Sequence, residues 1–368
     1  MRTHEIGNLI IEYPDEIAFC FNHIIVNLHG NGVSTLGITE VRMEISSDGD
    51  TTYTESRAPF KQNVFFDAAS YVQASFDYVN EHRVDYQQAG ATNSRLGMSF
   101  SFLVQLYNGE ILKEAFSFET FVLWGAMRVG ERYNGDRTLT WFKNYPFSVG
   151  LYSASSGTVQ VTADDGIPTE IALSGQGVWN LMLKGIQAHD RVTFHLPGSE
   201  TAASIFDNTF DYTFQGLFNT ATTITCKVND CDKGVYVRWI NRHGMYCYWL
   251  FQAGDESRQV ENDGEFIRNN MQDYSYTNGY HGGTGRKQRK TEDDTLQICA
   301  PLVDSSTYDF LFELTTSPVV DLYAGKDANG VDRWKGINVS VEKFIKTKSS
   351  LQDFVCTLIL PELNLQSL

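Results

Sequence analysis

The sequence predicts a mainly β protein: a multi-domain chain of β-sandwich or β-barrel-like units with a few short helices. Three observations carry this. Aromatic residues make up 13% of the 368 residues and are mostly Phe and Tyr, types that suit the pleated, half-buried surface of a strand. Many segments alternate apolar and polar residues with period two, as a strand with one buried face does. Between them stand turn dipeptides such as Asn108-Gly109 and Asn329-Gly330, which supply the left-handed backbone of tight hairpins.

Taken in order, Ile17 to Phe21, His23 to Leu28 and Gly37 to Ile45 read as strands, and Ser46 to Asp50 is turn chemistry. Val64 to Asp67 is a short strand. Ala68 to Phe76, with Tyr71, Val72 and Phe76 apolar, predicts two helical turns. Gly97 to Tyr107 and Glu110 to Phe118 flank the Asn108-Gly109 turn as a hairpin, and Glu119 to Val129 reads as a helix. Trp141 to Phe147 closes a first segment, and Leu173 to Leu181 is a turn between strands. Asp304-Ser-Ser-Thr307 caps a helix running through Leu314. Leu296 to Leu302, Val319 to Tyr323, Trp334 to Val341 and Phe354 to Leu360 are strands. The expected division is a β-rich domain at 1–148, a smaller one at 149–221, and a third at 222–368 with one helix and a long basic loop at 253–294.

The stretch GVYVRWINRHGMYCYWLFQ, Gly234 to Gln252, is the densest in aromatic residues. Asn241-Arg242-His243-Gly244 is polar and ends in Gly, so the whole reads as a hairpin with a short loop. Val235, Val237 and Trp239 share one face, and Tyr236, Arg238 and Ile240 the other. Both faces are largely apolar, which predicts a ribbon covered on both sides.

Charge and motifs exclude several functions. A net charge of −16 opposes general or sequence-specific nucleic-acid binding, which needs a positive surface against phosphates. No apolar run approaches the ~18 residues that span a bilayer. The N-terminus lacks a basic segment followed by an apolar core, so the expected product is made in a cytoplasm with its six Cys as free thiols buried in strands. Cys226, Cys231, His243 and Cys247 have a spacing near that of zinc ligands. Their surroundings are strands rather than a ligand-bearing helix, so buried thiols and a turn histidine are the favoured reading, with zinc left open. Gly279 to Gly285 is not a phosphate loop, because Arg286 follows and no Ser or Thr stands after Lys287. Nucleophile-elbow and metalloprotease motifs are absent, so the sequence predicts no enzyme, no catalytic residues and no cofactor. Gly325 to Asp332 lacks the alternating acids of a calcium loop and reads as a hairpin turn. The interface candidates are Tyr280, His281, Arg286, Lys287, Arg289 and Lys290, in a solvated loop that orders against a partner. A β-sandwich with exposed Trp would also suit carbohydrate; the six Trp mostly fall on apolar faces and read as core.

Several textures together carry a resemblance: Pro14-Asp-Glu-Ile-Ala-Phe19, Asn63-Val-Phe-Phe-Asp67, Asn144-Tyr-Pro-Phe147, the Gly234 to Phe251 hairpin, the Arg/Lys-rich loop, Ser317-Pro-Val-Val and Leu358-Ile-Leu-Pro-Glu362. The chain resembles tail or baseplate proteins of phages and prophages of Bacteroidetes bacteria, and its segmented β-rich plan is similar to that of distal tail proteins. The resemblance implies a virion structural protein of the tail, forming a homo-oligomeric ring and meeting other phage tail proteins. It transfers no catalytic residue. The alternative is a carbohydrate-binding adhesin at the tail tip.

Overall fold

The structure, a computed structural model, describes residues 1–47, 52–76, 84–86, 89–133, 137–183, 189–197, 204–213, 216–219, 221–267, 276–277, 286–340 and 343–361. The protein is mainly β, with several sheets and a six-stranded closed barrel. The sequence reading sets three segments; by internal contacts the chain forms two compact units, Met1–Asp232 with Trp239–Tyr248, and Lys233–Arg238 with Trp249–Leu368.

The first unit opens with β1 (Arg2–Ile6), β2 (Leu9–Tyr13), β3 (Ile17–Phe19), β4 (Ile25–His29), β5 (Glu40–Ser47), β6 (Thr52–Arg57) and β7 (Asn63–Asp67). The one-turn helix α1 (Gly32–Thr35) follows β4, and α2 (Ala69–Ala74) follows β7 where two helical turns are expected. β8 (Gly90–Asn93) precedes the long hairpin of β9 (Gly97–Asn108) and β10 (Ile111–Leu123). One sheet has the order β1-β2-β4-β7 and a second the order β3-β10-β9-β5-β6. Their alternating residues meet in one core: Leu9, Ile11, Val26, Leu28, Val64 and Phe66 from the first, with Val41, Met43, Ile45, Phe100, Phe102 and Val104 from the second. This is a β-sandwich, and Gly109 (φ +61°) turns the β9–β10 hairpin as the Asn-Gly signal predicts.

The helix expected at Glu119 to Val129 does not form: Glu119 to Leu123 is the end of β10, paired through Glu119↔Ser101 to Leu123↔Gly97 and, in parallel, Phe121↔Ile17, and an irregular segment follows. Thr120, Phe121, Val122 and Leu123 are all buried. Burial on both faces erases the alternation that marks a strand, and a continuous apolar run does not distinguish strand from helix.

The unit continues with β11 (Thr138–Phe142), β12 (Val149–Ser153), β13 (Gly157–Ala163), β14 (Pro168–Leu173), β15 (Gly177–Met182), β16 (Arg191–His195), β17 (Ser204–Phe206), β18 (Phe210–Thr213), β19 (Gly216–Asn219) and β20 (Thr223–Asn229). They form sheets of order β11-β20-β16-β13-β14 and β17-β12-β15-β8, and the pair β18-β19. β8 pairs with β15 and β20 with both β11 and β16, so early, middle and late residues share sheets. A second core joins Phe19, Phe121 and Leu123 to Tyr152, Val178, Ile205, Phe210 and Met245.

The second unit is the closed barrel, order β21-β22-β23-β26-β25-β24: β21 (Val235–Ile240), β22 (Tyr246–Ile267), β23 (Arg286–Val303), β24 (Val320–Lys326), β25 (Asp332–Val339) and β26 (Gln352–Ile359). The tip of the β21–β22 hairpin, Trp239–Tyr248, counts with the first unit. Helix α3 (Ser305–Thr316) lies between β23 and β24 with Tyr308, Phe310, Leu311 and Leu314 buried. Its cap is the expected one: the Asp304 carboxylate accepts from the Thr307 N–H at 2.7 Å. Tyr308 meets Phe354 of β26 edge-on at 5.4 Å.

The long basic loop expected at 253–294 is largely strand. β22 runs on to Ile267 and β23 starts at Arg286, paired from Gln252↔Cys299 to Ile267↔Arg286. The residues are polar because the ribbon there is solvated: every residue from Gln252 to Asn262 is exposed. A strand wet on both faces has no apolar alternation to betray it.

Candidate functional site

The Gly234 to Gln252 hairpin is built as its sequence predicts. Asn241 N–H donates to Met245 C=O at 2.8 Å, closing the turn around Gly244 (φ +77°). Every residue from Val235 to Phe251 is buried except Arg238, Arg242 and Trp249, which are half-buried. The tip lies close against Trp124 to Ala126 in the first unit: Ala126 N–H donates to Arg242 C=O at 2.8 Å. A Cβ at Gly244 would stand 2.7 Å from the Trp124 carbonyl, and one on Gly125 would overlap the Arg242 carbonyl. Two glycines are therefore what allows the backbones this approach.

Beneath the tip sits a buried polar cluster. Asp207 accepts from Asn241 Nδ2 at 2.7 Å to both oxygens, from His243 Nδ1 at 2.9 Å and from the Cys247 thiol at 3.8 Å. The Asn241 Oδ1 in turn accepts from the backbone N–H of His243 and Met245, at 3.0 and 3.1 Å. His243 stacks on Phe210 at 4.5 Å and meets Tyr133 edge-on at 4.6 Å. A carboxylate taken from water needs such donors to offset its lost hydration. The arrangement resembles an acid–histidine pair, but it does not meet solvent: His243 is 0% exposed, and its buried Nε2 has no hydrogen-bond partner. Among the described residues nothing hydrogen-bonds Nε2, and the Cys247 sulfur contacts the carboxylate. The cluster is placed to pin the tip of the hairpin, with His243 buried and Asp207 8% exposed.

The four residues with zinc-like spacing do not converge. Cys226 is buried in β20, Cys231 is exposed in the turn after it, and His243 and Cys247 serve Asp207. Among the described residues no three His, Cys, Asp or Glu are grouped to hold a metal ion. Exposure of Cys231 corrects the expectation that all six thiols lie buried in strands. The Gly325 to Asp332 segment is a turn whose Asp327 carboxylate accepts from Asn329 and Val331 N–H at 2.8 and 2.9 Å.

In the second unit Arg238 pairs with Asp321 at 2.8 Å and lies 4.2 Å from the centre of the Trp334 ring. Both charges are nearly buried, at 12% and 13% exposure, so this is an internal ion pair of the barrel wall. Trp141, Trp179 and Trp239 are buried, and Trp124, Trp249 and Trp334 half-buried.

Of the interface candidates, Tyr280 and His281 lie outside the described residues. Arg286, Lys287, Arg289 and Lys290 all fall on β23 rather than in a loop, and Arg289 and Lys290 are exposed. The register sets 287, 289 and 290 opposite Glu265, Asp263 and Asn262. Two of the basic positions are thus in register with acidic ones across the same ribbon, which sequence order alone did not reveal. No helix among the described residues is long and apolar enough to cross a membrane. No family model and no curated protein matches the chain.

Proposed function

We propose that this chain is a virion structural protein of a phage tail or baseplate, a distal-tail-like subunit that forms a homo-oligomeric ring and docks the tail tube to tip proteins. On this reading it is made in the host cytoplasm, acts in the virion tail and is not an enzyme. The observation that supports it best is the β22–β23 ribbon. Residues Gln252 to Asn262 are exposed along its length, and two strands alone are marginally stable in water. The unpaired backbone groups at a strand edge can template pairing with another chain. The sealed Asp207–His243 cluster fits a structural role rather than a catalytic one. The carbohydrate-binding alternative gains nothing from the Trp residues, since none of the six is exposed.

The test is light scattering of the purified chain together with negative-stain electron microscopy. The expected result is closed rings and a mass several times 41.5 kDa. A strict monomer at all concentrations, binding neither itself nor other tail proteins, would sink the reading.

A further inference from the structure

The hairpin of β24 and β25 carries a hollow of about 360 Å³ lined by Ala324, Arg333, Trp334 and Lys335. Arg333 and Lys335 are two positions apart on β25, so both stand on one face of the strand. Both are exposed. Trp334 stands between them, and its ring centre lies 4.2 Å from the Arg238 guanidinium carbon, 5.2 Å from the Tyr323 ring and 5.9 Å from the Tyr236 ring. The strand that bears the two cations is thus anchored, and their backbone positions are fixed before any ligand arrives. The acids of the same hairpin are turned to other partners. Asp321 accepts from Arg238 Nε at 2.8 Å, Asp327 from the Asn329 and Val331 N–H at 2.8 and 2.9 Å, and Asp332 from the Tyr323 hydroxyl at 2.9 Å. Arg333 donates to the Ala324 C=O at 3.2 Å, which leaves the rest of its fork of donors. Among the described residues no carboxylate pairs with Arg333 or Lys335.

We propose that this hollow binds a phosphate group, carried by a small molecule as a monoester. On a chain of net charge −16, two cations at one concavity with no carboxylate between them form a local positive field that draws an anion. A planar guanidinium takes two phosphate oxygens side by side, and an ammonium adds a point charge. A phosphate monoester at neutral pH carries about −1.5 to −2 charges, which two cations match. A carboxylate would leave one of them unmatched. The hollow falls within the size of small-ligand pockets, roughly 300–1,000 Å³, so it has room for a body attached to the phosphate, with Ala324 as an apolar wall. The site lies within the second unit and does not depend on assembly.

The experiment is isothermal titration calorimetry of the full chain with glucose 6-phosphate, inorganic phosphate and glucose, all at one ionic strength. The expected result is saturable binding of glucose 6-phosphate at one site per chain and no binding of glucose. The double variant Arg333→Gln/Lys335→Gln should bind about tenfold more weakly or worse, from the loss of charge-assisted hydrogen bonds. Its thermal midpoint should be unchanged, because both side chains are exposed. Lys348→Gln, which removes an exposed cation of the same unit outside the hollow, should bind as the wild type does. Inorganic phosphate that binds as tightly as the ester, or more tightly, makes the free ion the ligand; weaker binding shows that the body of the ester is held as well. No saturation by either phosphate compound up to ~10 mM, equal binding of glucose, wild-type affinity in the double variant, or an equal loss in Lys348→Gln overturns the site. None of these outcomes bears on ring formation.

Discussion

Asp207 shows how one residue can fix a hairpin. It is the common acceptor for Asn241, His243 and Cys247, and 8% of it is exposed. Asp207→Ala would leave an imidazole and an amide buried without their acceptor. The expected cost is about 3–5 kcal/mol, the range for breaking one partner out of a buried charged network. Asp207→Asn keeps an oxygen and should cost less, about 1–3 kcal/mol. Urea unfolding followed by the far-ultraviolet signal checks both; a loss below ~1 kcal/mol for the alanine variant would show that the cluster does not hold the tip. From sequence the His and Asn were visible as turn residues. Their partner lies 34 to 36 residues away, in a segment with no motif to draw attention to it.

Helix α3 is the element whose stability can be tied to a single titration. Asp304 accepts the Thr307 backbone N–H, and that bond, with those from the Thr307 and Ser306 hydroxyls, outweighs desolvation and holds its carboxyl below the usual range. A depressed carboxylate pKa contributes stability that is complete above the unfolded pKa, near ~3.9, and is lost as pH falls through the folded value. Asp304→Ala should therefore cost about 1 kcal/mol at neutral pH. The difference from wild type should shrink as pH falls below ~4 and be lost as pH falls through the lowered folded value. Denaturant midpoints at a series of pH values check this; a gap independent of pH would mean that the cap does not depend on the charge. This helix was legible in advance because its cap and periodicity are local. The β22–β23 ribbon was not, because its order comes from pairing between residues far apart in sequence.

For the whole molecule, backbone pairing and contact through the basic run make opposite predictions about salt. Each copy carries −16, so bringing copies together is opposed by a field that reaches ~30 Å at 0.01 M salt and ~8 Å at 0.15 M. The basic run on β23 is matched across its own ribbon by Asp263 and Glu265 in the register. If the contact is mainly backbone pairing, assembly should increase with salt over that range. Contact through the basic run alone would give the reverse. Sedimentation at several ionic strengths separates the two.

The sequence by itself determined the mainly β class, the Asn108-Gly109 hairpin, the α3 cap and the double-sided burial of the 235–251 hairpin. Each of these is written in residues a few positions apart, in turn chemistry, period-two patterning and capping. Tertiary structure alone decided which strands share a sheet, that Glu119 to Leu123 extends a strand, and that residues 253–267 and 286–294 form a ribbon. It also decided that Asp207 meets His243. Those outcomes depend on long-range pairing and on which faces water reaches, and neither is encoded in any local window of the chain.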